Sequence, residues 1–527
     1  MSADFDVIVI GGGHNGLVAA AWLAKAGRKV LLLERRATLG GAAATEELFP
    51  GFHFNTGAPD AGLLLPSLIE GLDLRAHGLE FIESPVAAFA PQADGRALTL
   101  WRDAEKGSFE IAALSAKDAR AFPLFQRQNE GFANVLAHFA SLRPPTVKNN
   151  SFGLSAGWGR LALRVRGLGR RDMMELLRVA PMSAYQYLNE HFESQVLKGL
   201  LASVSVTGLM QGPRASGTAF MLLYQQLGGP NGGYRSSQVV RGGVGQLSAA
   251  MARAAQAHGA DIRTSATVQS ILSEDGRVLG VRLESGEEIR AKAVLSNADP
   301  RATFLGLLGA PQIEPRFSRR LRSLKLRGST ASMHLALSGL PEFPAANGDT
   351  QRLGGAIVIC PNLDYAEHAY DDAKYGRISN RPILEARIPS LLDPSLAPSG
   401  SHTLSIIFRY APYNLQEGAW DSQREKLGDL TIETLAQHAP SLKSLILDRR
   451  VITPLDYERD YGLSAGSIMH GAMGLDQLLL MRPVPGFIGY RSPVDGLYLC
   501  GAGAHPGGGV TGAPGLNAAR QAHAEMR

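Results

Sequence analysis

The stretch "FDVIVIGGGHNGLVAAAWLAKAGRKVLLLER", Phe5 to Arg35, decides how the chain is read. Its apolar run Val7–Ile10 suits a strand buried on both faces, and Leu17–Ala26 reads as an Ala-rich helix. Between them Gly11, Gly13 and Gly16 satisfy GxGxxG. Gly11 permits the tight turn, Gly13 lets the backbone approach a pyrophosphate, and Gly16 lets helix and strand pack closely. The helix start, with His14 and Asn15 in the glycine turn before it, offers unpaired N–H groups and a partial positive charge to phosphate. Gly27 stands where a helix C-cap is expected. Glu34 closes the second strand, where a carboxylate accepts hydrogen bonds from a ribose. The unit is the start of a dinucleotide-binding domain, and the fold class it predicts is α/β.

The next residues narrow the nucleotide. In "RRATLGGAAATEELFPGFHFNTGAPDAG" (35–62) the Gly40–Gly41 pair, followed by Ala42, is a second segment of nearly bare backbone. It resembles the second signature of flavoproteins, where the chain passes close to the phosphates and ribityl of FAD. Arg35 could read a 2′-phosphate, but a plain NAD(P) site has no need of the glycine doublet, so FAD is the stronger reading.

Almost five hundred residues later comes "LCGAGAHPGGGVTGAPG", Leu499 to Gly515. A short strand precedes it and a helix follows, with Pro514 in a first-turn position where its missing N–H is harmless. Such a turn suits a cofactor's other end. The contacts expected there are Gly501, Gly503, Gly509, Val510 and Thr511, and a helix N-terminus aimed at the flavin would stabilise its reduced, anionic form.

Composition excludes several classes. At 527 residues, 45% hydrophobic and 19% charged, the chain is an ordinary globular protein of two or three domains. A net charge of +5 does not suggest nucleic acid. The only cysteines, Cys360 and Cys500, lie far apart, which removes a dithiol centre and a cysteine-rich metal site and fits a reducing compartment. No metal site is expected. The opening "MSADFDVIVIGGG" lacks a basic leader, and no apolar run reaches the ~18–20 residues that span a bilayer. A cytoplasmic protein, peripheral to a membrane at most, is the expectation.

Several segments together resemble the carotenoid (phytoene) desaturase branch of the FAD-dependent amine oxidase and glutathione reductase-like flavoproteins. Besides both glycine-rich ends these are "VLSNADP" (294–300), "DPSLAPSGSHTLSIIFRYAPYNLQEGAWD" (393–421) and "HGAMGLDQLLLMRP" (470–483), so the likeness covers nearly the whole chain. It implies a discontinuous FAD domain, 1–75, 236–300 and 461–527, and an α+β substrate domain from 76–235 and 301–460. It also implies that backbone near Val268 meets the adenine. The activity it implies is hydride transfer from an apolar, polyene- or lipid-like substrate to flavin N5. Electrons would go on to oxygen or a quinone, or return in an isomerisation, since no second GxGxxG offers an NAD(P) domain.

Side-chain chemistry is less legible. His505 in the cofactor turn and His470 in "SIMHGAMG" are the candidate proton acceptors. Asp60, His334 and Arg491 are candidates for the substrate cavity. In the resembled family a lysine often stands two positions before His334; Ser332 stands there, which takes weight from amine oxidation. A flavin amine oxidase, with paired aromatic rings such as Tyr490 and Tyr498, and a non-catalytic FAD-binding module at a membrane are the competing readings. The stretch 157–179, with Arg160, Arg164, Arg166, Arg170 and Arg171 among aliphatics, suits either a solvated helix face or an anionic membrane surface.

Overall fold

A computed structural model describes residues 3–144, 152–229 and 231–526. Residues 145–151 and 230, within the span assigned to the substrate domain, lie outside the described residues, as do 1–2 and 527 at the ends.

The opening strand, Phe5–Ile10, is central to a seven-stranded sheet. Its apolar side chains are buried because parallel strands flank it on both sides, Val30–Leu33 and Glu288–Ser296. Asp261–Arg263 extends the sheet beyond Val30–Leu33. On the other side the C-terminal half of Glu288–Ser296 pairs in parallel with Leu497–Leu499, and its N-terminal half joins the antiparallel hairpin Val268–Glu274 and Arg277–Leu283. Three distant stretches of chain therefore build one nucleotide-type sheet. Helices His14–Lys25, Gly245–Ala257 and Ala513–Glu525 share one core with it, rich in alanine where helix meets helix.

A second seven-stranded sheet has the order Ile446–Ile452, Thr330–Leu337, His402–Arg409, Ile383–Arg387, Ala356–Ile359, Val86–Pro91, Ala97–Trp101. Met333, Leu335, Leu404, Ile406, Phe408 and Leu384 point to one face and form its aliphatic core. By the two-residue period of a strand, Thr330, Ser332, His334, Ser405, Ile407, Arg409, Glu385 and Arg387 share the opposite face. That face is polar yet buried, so it looks into the protein.

Helices from Ala104–Ala112 to Thr218–Tyr224 cover the flank of this sheet around a separate aromatic core. In the basic stretch, helices Phe152–Gly167 and Gly169–Val179 leave Leu163, Met174 and Leu177 exposed among arginines. Among the described residues no helix is long and apolar enough to cross a membrane.

The first and last helices cross with their backbones in contact. A Cβ on Gly515 would stand 2.0 Å from the Asn15 carbonyl oxygen, and one on Gly16 2.1 Å from that of Gly11. Both neighbours are backbone and cannot rotate away. Gly515→Ala should lower stability by roughly 1–3 kcal/mol, the usual cost of overpacking. Gly71→Ala, at a helix end with nothing near the added methyl, should be close to neutral. Thermal unfolding of the two variants distinguishes them, and equal midpoints would contradict the packing described.

Candidate active site

The glycine turns are built against one another. Gly40, at φ 110°, uses a backbone conformation that side chains disfavour. Its N–H donates to the Gly12 carbonyl at 2.8 Å, and Gly13 and Gly40 form an isolated parallel bridge. Asn297 closes the third side, its Nδ2 donating to the Gly11 carbonyl at 3.3 Å. The helix His14–Lys25 begins at Gly13 with no side-chain cap and no acid in its first turn, which leaves its N–H groups for an anion. Glu34, 7% exposed, accepts from Gly12 N at 2.6 Å and Arg36 N at 2.8 Å. Each carboxylate oxygen has capacity for one more donor, such as a ribose hydroxyl.

These turns open into a cavity of about 520 Å³ that runs to the polar face of the second sheet. Gly11, Gly13, His14, Asn15, Glu34 and Arg35 line one end, with Val268 beside them. Arg35 also donates to the Asp460 carbonyl at 3.0 Å. Gly40, Gly41 and Ala42 line it as well, and Gly509 and Val510 bring in the C-terminal turn. His470 reaches the wall as well. It is held there by Arg482, a buried residue that the sequence did not single out. Arg482 donates to the carbonyls of Gln477 (2.6 Å), Gly471 (2.8 Å), Met469 (2.9 Å) and Ala472 (3.0 Å), and also to Ala502 in the final turn. Burial pushes its guanidinium down to about 10.

Asp60 lies at the far end, in a cluster of buried charges. Arg235 Nη2 donates to Asp60 Oδ2 at 2.9 Å and to Glu385 Oε1 at 2.8 Å, and Arg409 Nη2 donates to Glu385 Oε2 at 3.0 Å. Arg387 stands 3.3 Å from Glu385 and 3.4 Å from Asp60. Burial alone would raise both carboxyl pKa values. Arg235 and Arg387, joined by Arg409 at Glu385, outweigh it and hold both below the usual carboxylate range. Only Asp60 of this cluster was anticipated. For Glu385, Arg387 and Arg409 the signal is alternation in "ILEAR" and "HTLSIIFR", where charge replaces an apolar residue on one face of a strand; Arg235, in a loop, carries no such signal.

Other candidates sit elsewhere. His505 does not line the cavity: its Nε2 is 3.3 Å from the Phe139 carbonyl, its ring packs edge-on against Phe139, and burial lowers its pKa to about 4. Arg491 is not a cavity residue either; it pairs with Glu525 on the last helix. Tyr490 donates to the His505 carbonyl and Tyr498 to Glu525, so neither is a wall ring. Tyr457 and Tyr461 do reach the wall, but tilted at 55°, and Tyr461 lies against Arg36 at the nucleotide end. Gly16, Gly501, Gly503 and Thr511 shape the turns from behind. A Cβ on Gly501 would meet Asn297 O at 2.5 Å, one on Gly503 would meet Pro300 at 2.4 Å, and Thr511 accepts from Ala513 N at 3.3 Å.

His334 lines a small side chamber that shares Gly57, Pro59, Glu385 and Ile407 with the main cavity. Tyr457 donates to the Thr56 carbonyl (3.2 Å), which leaves its oxygen to accept from Ser332 (2.9 Å). Ser332 can then accept from His334 Nε2–H (3.3 Å), whose Nδ1 accepts from Ser405 (3.0 Å). The ring is neutral and fully engaged.

The cavity fits FAD. Besides the uncapped helix and bare glycine backbone, buried polar atoms on wall residues lack partners, among them His14 Nε2, Asn15 Oδ1 and His470 Nδ1. The fold and this cavity define a flavin-dependent oxidoreductase. Residues 185–523 match the family described as flavin containing amine oxidoreductase, and residues 9–59 match the NAD(P)-binding Rossmann-like domain. The rat pyridine nucleotide-disulfide oxidoreductase domain-containing protein 2 is 38% identical over 98% of this chain and 93% of its own. A limonene dehydrogenase chain of Castellaniella defragrans is 29% identical over 99% and 95%. An oxidoreductase of Methanosarcina mazei shares the fold, with a TM-score of 0.62 at 17% identity, over 99% of this chain and all of that one. The chain belongs to the flavin containing amine oxidoreductase family, and its cofactor is FAD.

Burial pushes the pKa of His334 down to about 3, from an ordinary 6.5. Between those values the unfolded chain binds a proton that the folded one does not. Stability is therefore complete above pH ~6.5 and falls as pH drops below it. In His334→Asn the decrease in unfolding midpoint between pH 7 and pH 5 should be smaller than in wild type. Equal decreases would show that His334 takes up its proton without opening the fold.

Proposed function

We propose that the protein oxidises a largely hydrophobic, lipid- or polyene-like substrate. The cavity carries the reading: one continuous space links the FAD-binding turns to a wall with Leu63, Ile407, Ile468, Met469 and Val510. Bound FAD supplies the hydride acceptor, at flavin N5. The protein's part is to hold a C–H bond there and to exclude water. The wall carboxylates, Asp60 and Glu385, are tied to arginines and are weak bases. Such a wall suits a substrate whose hydride leaves a delocalised cation, as a conjugated or allylic chain allows. The likeness to the limonene dehydrogenase chain, named for a hydrocarbon, supports the same class.

His14 and His470 serve the cofactor in this reading. Their mutual charge interaction lowers the pKa of His14 beyond the effect of burial, to about 4, and both carry an unpartnered ring nitrogen at the phosphate end. The other GxGxxG match, Gly507, Gly509 and Gly512, lies in the C-terminal cofactor turn and offers no separate NAD(P) domain, so oxygen or a quinone takes the electrons, or the substrate recovers them in an isomerisation. Exposed Leu163, Met174 and Leu177 among arginines suit a lipid surface from which such a substrate would come.

An amine substrate is disfavoured by charge. The far wall has more arginines than carboxylates, and each carboxylate is already paired, so an ammonium ion would be repelled. Anaerobic mixing of the FAD-loaded protein with fractionated lipid extract, and separately with a panel of primary amines, tests this. Bleaching of the flavin band by an apolar fraction and not by amines is expected; bleaching by amines alone would overturn the proposal.

A further inference from the structure

The buried charge at the far end does not sum to zero. Asp60 and Glu385 face Arg235, Arg387 and Arg409, all of them less than 9% exposed. Two carboxylates thus meet three guanidinium groups. Arg102, half-buried beyond Asp60, adds positive charge that exposed Glu83 meets. An excess cation out of water is costly unless a counterion joins it.

Two unsatisfied donors mark where the counterion belongs. Arg409 Nε is buried without a partner although Nη2 of the same group is bonded to Glu385. Thr207 Oγ1 is also buried without one, and both residues line the cavity. Hydrogen bonds dock the segments that carry them against each other. Ser329 donates to the Leu209 carbonyl at 3.2 Å and Tyr410 to that of Gln211 at 2.8 Å. These bonds dock the turn that follows Thr207 beside the paired residues Thr330 and Arg409. A pure hydrocarbon would displace water here and leave the charge and both donors unmatched.

We propose that the substrate is amphipathic, a hydrophobic chain ending in one carboxylate, and that the carboxylate binds Arg409 Nε and Thr207 Oγ1. A monoanion matches the single excess charge. A phosphate ester brings up to two charges against Glu385 and overshoots. This rests on the hydrophobic-substrate reading above and adds the polar end to it. It also gives the cavity a direction, with the carboxylate fixed at the far wall and a set carbon of the chain presented to the flavin.

The test uses FAD-loaded protein and three probes of equal length, decanoate, decanol and decylamine, with binding read from the perturbation of the flavin absorption band. Decanoate should bind about ten- to hundredfold more tightly than decanol, as a charge-assisted hydrogen-bonded pair provides, and decylamine most weakly. Arg409→Gln should bring the decanoate-to-decanol ratio to about one, Arg409→Lys should restore part of it, and Thr207→Val should reduce it several-fold. Should Arg409→Gln not fold, Thr207→Val alone must lower the ratio. Equal binding of decanoate and decanol to wild type would overturn the carboxylate site and leave the hydrophobic reading standing. Binding of none of the probes would overturn both. A ratio that survives substitution at Arg409 and Thr207 would also overturn the site.

Discussion

Backbone lies against backbone where the two ends of the chain meet, and the rest of the structure depends on that contact. Gly515 rests on the Asn15 carbonyl, Gly16 on that of Gly11, and Gly40 is hydrogen-bonded to Gly12. Side chains at these positions would hold the helices and turns apart. With them absent, an uncapped helix N-terminus, a glycine doublet and the C-terminal turn converge on one elongated seat. Arg482 then fastens the segment from Met469 to Gln477 onto that turn through carbonyl contacts. The seat is assembled from residues some five hundred positions apart, so it exists only in the folded chain.

The second sheet supplies the other half of the site by an inversion of the usual pattern. Its aliphatic face packs on its own core, while its polar face is turned inward over the cavity. Burying three arginines and two carboxylates there is not a gain in stability over an apolar floor of the same shape. Function explains it better. A fixed array of charges, unable to relax as water would, orients a polar group without reorganisation. The neutral His334–Ser332–Tyr457 network beside it stiffens the same wall while adding no charge.

What could be read in the sequence was what backbone geometry demands of residue type. Gly11, Gly13, Gly40 and Gly41 announce close approach because no other residue permits it, and Glu34 is placed by the length of the βαβ unit. The alternation in "TASMHLAL" and "HTLSIIF" likewise fits the strands Thr330–Leu337 and His402–Arg409. Alternation shows that two faces differ, however, and not which way each one looks. Glu385, Arg387 and Arg409 therefore read as ordinary solvent-facing positions until the sheet order placed them over the cavity. His505 shows the reverse error: a histidine among cofactor glycines looks functional, yet the turn points it at Phe139. Arg482 lies inside the segment 470–483, yet nothing there marks its role, because its partners are mostly carbonyl groups, which every residue carries.

The seat has two ends, one suited to the adenosine half of the cofactor and one to the flavin half. Titration of flavin-free protein with FAD and with FMN, followed by flavin fluorescence, tests it most directly. One FAD per chain is expected, bound at least about tenfold more tightly than FMN, because FMN leaves the Glu34 and Val268 end empty. Equal affinity for FMN and FAD, or no binding of either, would contradict it.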